Sequence, residues 1–419
     1  MMRSVTESAG ENKRSAVIFA LYTLVVVAIY VLPITKFLFP YIPVAIAMLV
    51  SLPVLMLKNE RYMNYGVLTL AVSFFLAFII FAAGESLVGA VNEGVRNIRF
   101  FIPVIWGMFA LQFCDRKACN WILIFIGIVL TYIFIKTMIE LENDPWIARQ
   151  LAQGKESSSY EVNTYRLNNI GGFEFSYMIG IVTLCIVWTA LSVKKKLVKI
   201  VCAVAAILCF YYIIKTMYTT LLLVTFIGAL SLIIIKVKSI EAKLFWIFGC
   251  FLLVALMFNN LFEWISELFP EESLLSTKFL NIHNAIINDD ISEVGSRPQL
   301  IFSSLEKWGK NPIFGKFSSN SNAHSMMISM LEHTGIVGFG MWILLFIASF
   351  VVLNKQMKEA KLDTRLFTVA FLYLLVLSFF NPIGYVFEVT IAAFFIVPIW
   401  AKILFVSNKG DEINEILEN

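Results

Sequence analysis

The residues able to do chemistry in this 419-residue chain gather in its few polar stretches. Ser296-Arg297-Pro298-Gln299 reads as a helix start: serine caps, proline suits the first turn, and glutamine three residues after the serine completes a capping box. The helix is expected to stop near Gly309, ahead of Asn311-Pro312. A helix N-terminus with an arginine beside it suits a phosphate group, because unpaired amides, the helix dipole and a forked guanidinium all favour an anion there. Along this helix Arg297, Ile301, Leu305 and Trp308 share one face. That pattern equally fits an amphipathic helix lying in a membrane interface, where the arginine only meets lipid headgroups. His324 ends a Ser/Asn-rich stretch, where polar sequence gives way to apolar. An imidazole titrating near about pH 6.5 can take a proton from an attacking group; the competing reading is an interfacial histidine with no chemical role.

Other candidates surround these two. Glu332 follows His324 by eight residues, on nearly the same helical face but about 12 Å along a continuous helix, too far to bond it directly. It is expected to bind sugar or a cation, or to pair within a helix bundle. His333 points to the opposite face and reads as structural, and His283 has no constellation around it. Arg166 and Lys215 each stand beside an apolar run, and Arg96 and Arg99 stand at the end of another, where snorkelling to the interface is the simpler account of that last pair. Clustered acids occur as Glu140, Glu142 and Asp144, and as Asp289-Asp290, neither with a recognisable ligand pattern. The six cysteines show no CxxC spacing and avoid the two long polar stretches, which argues against zinc and against a disulfide framework. No metal and no cofactor are expected.

The elements that must hold these groups are membrane helices. Hydrophobic residues make up 59% of the chain and charged residues 15%, against roughly 45–50% and 25% in a soluble domain. A bilayer core of about 30 Å takes roughly 20 apolar residues per helix. Runs of that kind lie near 15–34, 40–57, 65–83, 99–114, 120–139, 173–193, 198–215, 217–235, 244–260, 326–353, 366–382 and 386–406. The expected architecture is all-α: a single integral membrane domain over 1–419 with about twelve transmembrane helices. Lys13 and Arg14 precede the run Ala16–Leu32, which is too long for a signal peptide and reads as an uncleaved first helix.

Short loops carry Lys58 and Arg61; Arg116 and Lys117; Lys194, Lys195, Lys196 and Lys199; Lys236, Lys238 and Lys243; and Lys355, Lys358, Lys361 and Arg365. Positive-inside bias puts these loops and both termini in the cytoplasm. The long polar segments 140–172 and 261–323 then face outward. The second divides by charge. Leu261–Glu293 holds seven acids and Lys278 alone as a base, whereas Val294–His324 holds Glu306 against Arg297, Lys307, Lys310 and Lys316. Membrane lipid is an expected partner; nucleic acid is not.

The stretch Arg297…Trp308…Asn311-Pro312-Ile313-Phe314-Gly315…His324…Leu331-Glu332-His333-Thr334-Gly335-Ile336-Val337-Gly338 resembles the signature of the bacterial O-antigen ligase and polymerase superfamily. In that pattern an arginine starts a helix in the large outer loop, an Asn/His-Pro-x-x-Gly turn follows, and a histidine precedes a Glu-x-Gly-Ile-x-Gly segment entering the membrane. Arg166-Leu167-Asn168-Asn169-Ile170-Gly171-Gly172-Phe173 is similar to the Arg-x-x-Gly-x-Phe approach of related capsule polymerases. Two departures are visible. Ser325 replaces the asparagine that usually follows the histidine, and Lys215-Thr216-Met217-Tyr218 stands where many members carry Ser-Arg. A lysine keeps the charge but loses bidentate phosphate recognition.

The resemblance implies a metal-independent glycosyltransferase of the bacterial cytoplasmic membrane. Its substrate would be an undecaprenyl-pyrophosphate-linked oligosaccharide, and a chain-length regulator is a possible membrane partner. On this reading Arg297, with Arg166, Lys215 and Arg99, steadies the departing pyrophosphate, His324 is the base, and Glu332 meets glycan. The sizeable first loop favours an O-antigen or capsule polymerase over a ligase that moves finished glycan to lipid A core. A flippase or secondary transporter is the alternative of another class. Transporters place ionisable groups at the membrane midplane, whereas here polar chemistry gathers on one face.

Overall fold

The computed structural model describes residues 31–38, 60–152, 160–237, 239, 241, 262–269, 274–288, 297–316, 325–383 and 386–404. Among the described residues every regular element is helical. Eight helices are long and apolar enough to cross a bilayer: α2 (Glu60–Ala82), α3 (Leu87–Phe113), α4 (Arg116–Asn143), α7 (Phe173–Ser192), α8 (Lys196–Lys215), α9 (Thr219–Lys236), α12 (Met326–Glu359) and α14 (Phe387–Leu404). A ninth, α13 (Arg365–Phe380), is apolar but shorter, at 16 residues. These nine match nine of the expected runs. The others, near 15–34, 40–57 and 244–260, lie outside the described residues except for the end of the first, where the short α1 (Pro33–Leu38) begins. Between the spans lie α5 (Ile147–Ala152) and α6 (Tyr160–Leu167) in the first long polar segment, and α10 (Leu274–Asn288) and α11 (Arg297–Lys310) in the second.

Polar residues start these helices by the expected capping chemistry. The Asp115 carboxylate accepts from the Ala118 amide at 2.7 Å, and the Ser86 hydroxyl accepts from the Gly89 amide at 3.1 Å. Contacts between chain-distant helix ends define two ends of the bundle. At the basic end, the Lys402 ammonium donates to the carbonyls of Ala110, Leu111 and Cys114 at 3.1, 2.8 and 2.5 Å, closing the C-terminus of α3 with a positive charge. There too Lys236 and Arg365 stack on the buried Trp188 ring, at 4.3 and 5.2 Å from its centroid. Asp363, in the turn before α13, holds Arg365 bidentately. Burial opposes its charge, but the hydrogen bonds from Arg365 outweigh that and keep the carboxyl below its usual range. The other, loop-bearing end gathers both long polar segments.

The middle is filled by α14. Every residue from Val386 to Ile399 is buried, as befits a helix whose faces are almost all apolar. Its backbone widens into a π-turn over Ala392–Ile396. Gly107 of α3 lies against that widening, so close that a β-carbon there would fall 2.0 Å from the Phe394 carbonyl oxygen. Trp106 lays its ring edge-on to Phe387 and Phe395 at 5.8 and 6.0 Å. A small residue is what allows two membrane backbones to meet this closely.

Candidate functional site at the loop-bearing end

The segments that carry the family resemblance meet at one joint. Helix α11 runs from Arg297 to Lys310, close to the expected span, and packs on α12. Ser304 on it is buried and Ile301, Leu305 and Trp308 are half-buried, so the face read as interfacial lies partly against protein. The turn Asn311–Gly315 closes with Gly315 N–H on the Asn311 carbonyl at 2.9 Å, and the Trp308 indole donates to the Pro312 carbonyl at 3.1 Å.

The turn then docks by backbone onto a break in α12. Gly335 sits at φ 63°, ψ −170°, a region essentially reserved for glycine, and interrupts the helix there. Such a break strands amides and carbonyls that would otherwise pair along the helix. The turn supplies their partners: Ile336 N–H donates to Pro312 O at 2.9 Å, Val337 N–H to Ile313 O at 3.2 Å, and Lys316 N–H to Glu332 O at 2.9 Å. Gly315, itself at φ 70°, approaches so closely that a β-carbon would lie 2.5 Å from the Gly335 nitrogen. The two glycines of the motif are thus the two faces of a single contact.

Beside the joint the Glu332 carboxylate is 1% exposed and lies 3.5 Å from the Lys307 ammonium of α11. Pairing within the bundle, one of the two expected roles for Glu332, is therefore observed. The helix segment ahead of the break begins with Ser325, buried and capping, its hydroxyl accepting from the Ile328 amide at 3.3 Å. Serine here fills the N-cap role that asparagine also fills well. Met326 N–H donates to the Asn381 carbonyl at 3.1 Å and ties this start to the end of α13. His324 lies outside the described residues, as does the side chain of Arg297, whose backbone opens α11. Arg297 stands about 20 Å from the joint along its helix axis.

The other candidates occupy the same end. Arg166 falls in the last turn of α6, and the chain after it reverses through Asn169 at φ 61°. Gly171 N–H then donates to the Thr137 hydroxyl of α4 at 2.8 Å, and the Asn169 side-chain oxygen accepts from Ile34 N–H at 3.1 Å. Lys215, the last residue of α8, lies 3.0 Å from Glu142 and 5.6 Å from the Tyr211 ring centroid. Met217, next but one, takes a left-handed backbone at φ 57°, an uncommon geometry for a non-glycine residue and one found where a tight turn is fixed by its surroundings. Tyr218 reaches from this turn to the Ala148 carbonyl of α5 at 2.5 Å. Arg99 of α3 lies over the Phe387 ring at 5.7 Å.

Among the acids, Glu142 is engaged by Lys215 and Asp144 accepts from the Trp146 amide at 2.9 Å. Among the described residues no three His, Cys, Asp or Glu side chains gather as a metal site, and Asp289-Asp290 lie outside them. Sequence reasoning missed Glu388. It sits in the first turn of α14, 3% exposed, beside the Phe387 that Arg99 covers. Its signal was visible as a lone acid in an otherwise apolar run, the kind of residue that marks function inside a membrane.

No protein-family model matches this chain, and no curated protein matches it by sequence.

Proposed function

We propose that this protein is a glycosyltransferase of a bacterial cytoplasmic membrane that polymerises undecaprenyl-pyrophosphate-linked oligosaccharide repeats into O-antigen or capsule at the outer face. The observation that carries this reading is the joint. The helix begun by Arg297, the Asn311–Gly315 turn and the Glu332–Gly335 segment, recognised separately along the chain, are bonded to one another in space. In the proposed reaction an acceptor sugar hydroxyl attacks the anomeric carbon of the lipid-linked donor. The anomeric carbon–oxygen bond breaks, pyrophosphate leaves on its lipid, and His324 takes the hydroxyl proton. Arg297 holds the departing charge, helped by Arg166, Lys215 and Arg99; a preorganised donor of this kind contributes about 3–4 kcal/mol. No metal enters this scheme, and a chain-length regulator is the proposed protein partner.

A deletion strain tests the reading through its surface glycan on a gel. Single-repeat products with intact lipid-linked repeats outside the membrane are the expected result. Undecorated lipid A core with intact lipid-linked polymer would make the protein a ligase, and repeats trapped inside the cell would make it a flippase. Purified protein given lipid-linked repeat should polymerise in excess EDTA; activity restored only by magnesium or manganese would move the chemistry to Glu140, Glu142 and Asp144.

A further inference from the structure

An apolar cleft of about 560 Å³ opens between α4 on one side and α7, α8 and α14 on the other. Asn120, Gly127 and Leu130 line one wall, and Val182, Leu208 and Trp400 the other. Ile122, Ile126 and Ile133 are buried along the mid-length of α4, and the cleft opens beside that face. Two of the wall's polar groups pair with each other: the Trp400 indole donates to the Thr189 hydroxyl at 2.8 Å. Only an apolar occupant suits such a space inside a bilayer.

The two ends of the cleft differ. Toward the loop-bearing end it is narrowed, where the Phe134 and Tyr212 rings meet at 4.9 Å, tilted by 32°, and Gly171 N–H bonds Thr137. Toward the basic end it runs out at Asn120. Arg116 and Lys117 precede Asn120 by four and three residues, so both stand on the lining face of α4, and both are exposed. Lys196 and Lys199, also exposed, begin α8 across the gap. From Asn120 to Phe134 the cleft follows about 21 Å of helix, somewhat more than one leaflet's share of a bilayer core of about 30 Å.

We infer that this cleft is a binding site for an anionic glycerophospholipid of the leaflet at the basic end, with an acyl chain between α4 and α8 and its phosphate at Arg116 and Lys117. Basic rims on such intramembrane gaps attract anionic headgroups. The Phe134–Tyr212 pair narrows the opposite end, which favours a chain rooted at the basic end. The site is separate from the glycan chemistry and stands whether or not that reading holds.

The test uses the full-length protein in nanodiscs of equal phosphatidylglycerol and phosphatidylcholine, with retained lipid read by native mass spectrometry. Wild type should retain phosphatidylglycerol several-fold over phosphatidylcholine. Gly127→Phe should lose the retained lipid, since Gly127 lines the cleft, a β-carbon there meets nothing within 4 Å, and the ring would occupy the space of a chain. Arg116→Gln with Lys117→Gln should keep a lipid but erase the preference. If Gly127→Phe is lost in purification, the charge variant decides alone. The inference is overturned if wild type retains no phospholipid, if it retains a polyprenyl phosphate instead, or if the variants keep its lipid count and preference.

Discussion

At the scale of single residues, the proposed reaction assigns charge stabilisation to Arg297 and proton transfer to His324, at the two ends of one loop. Lysine cannot reproduce the fork of Arg297, so Arg297→Lys should lose much of the polymerase activity with its charge intact. His324→Ala should cut turnover by about 10²–10⁴-fold while leaving donor affinity nearly unchanged; normal polymer at normal abundance would remove the base assignment. Gly335 makes a second prediction. Alanine there needs a disfavoured backbone and puts its β-carbon 2.2 Å from the Ile313 carbonyl, so Gly335→Ala should cost at least about 1–3 kcal/mol. It should lower the unfolding temperature in detergent and open the Arg297–Ser325 region to protease. Gly340→Ala, with open space around it, should change neither. The motif glycines were legible as residues, but their purpose was not. Gly315 and Gly335 are twenty positions apart, and only the folded backbone reveals that they touch. The sequence marks Glu332 as binding glycan or pairing within the bundle, but not its partner Lys307, which alone reads as an ordinary surface charge.

At the scale of elements, periodic apolar length was a dependable guide. Nine expected runs became helices, and the stop of α11 before Asn311-Pro312 followed from the missing amide of proline. What hydropathy does not encode is interruption. The π-turn of α14 falls inside apolar sequence and the break in α12 just after Glu332-His333-Thr334, and each is set by a neighbouring backbone, not by a breaker residue alone. The Gly107 contact shows the consequence for helix pairing. Gly107→Ala should push α3 off α14 and destabilise the protein by about 1–3 kcal/mol, measured as thermal unfolding of purified protein. An unchanged transition would mean that the contact yields freely. Conservative exchange of an outward-facing residue such as Ile128, 64% exposed, provides the reference.

At the scale of the whole molecule, the charge pattern of the short loops predicts an orientation that can be tested in cells. In a cysteine-free background, a single cysteine at Ser319 should react with an impermeant thiol reagent, and one at Lys195 should not. The reverse labelling would turn the candidate site toward the cytoplasm and end the outer-face chemistry proposed for it. The lateral cleft was not legible in the sequence. Every residue lining it looks like an ordinary lipid-facing or core position, and only the spacing of α4 from its neighbours makes a cavity of them.

The burial of α14 bears on the order in which the protein is made. The ribosome reaches Phe387–Leu404 after every other described helix, yet this is the helix enclosed on all sides. The earlier helices therefore have to wait around a vacant centre, with Gly107, Trp106 and the carbonyls that Lys402 will close all exposed to lipid or to one another. Assembly in the membrane becomes conditional on synthesis of α14. A chain stopped short of it carries a hollow interior, the kind of defect by which quality-control proteases recognise an unfinished membrane protein.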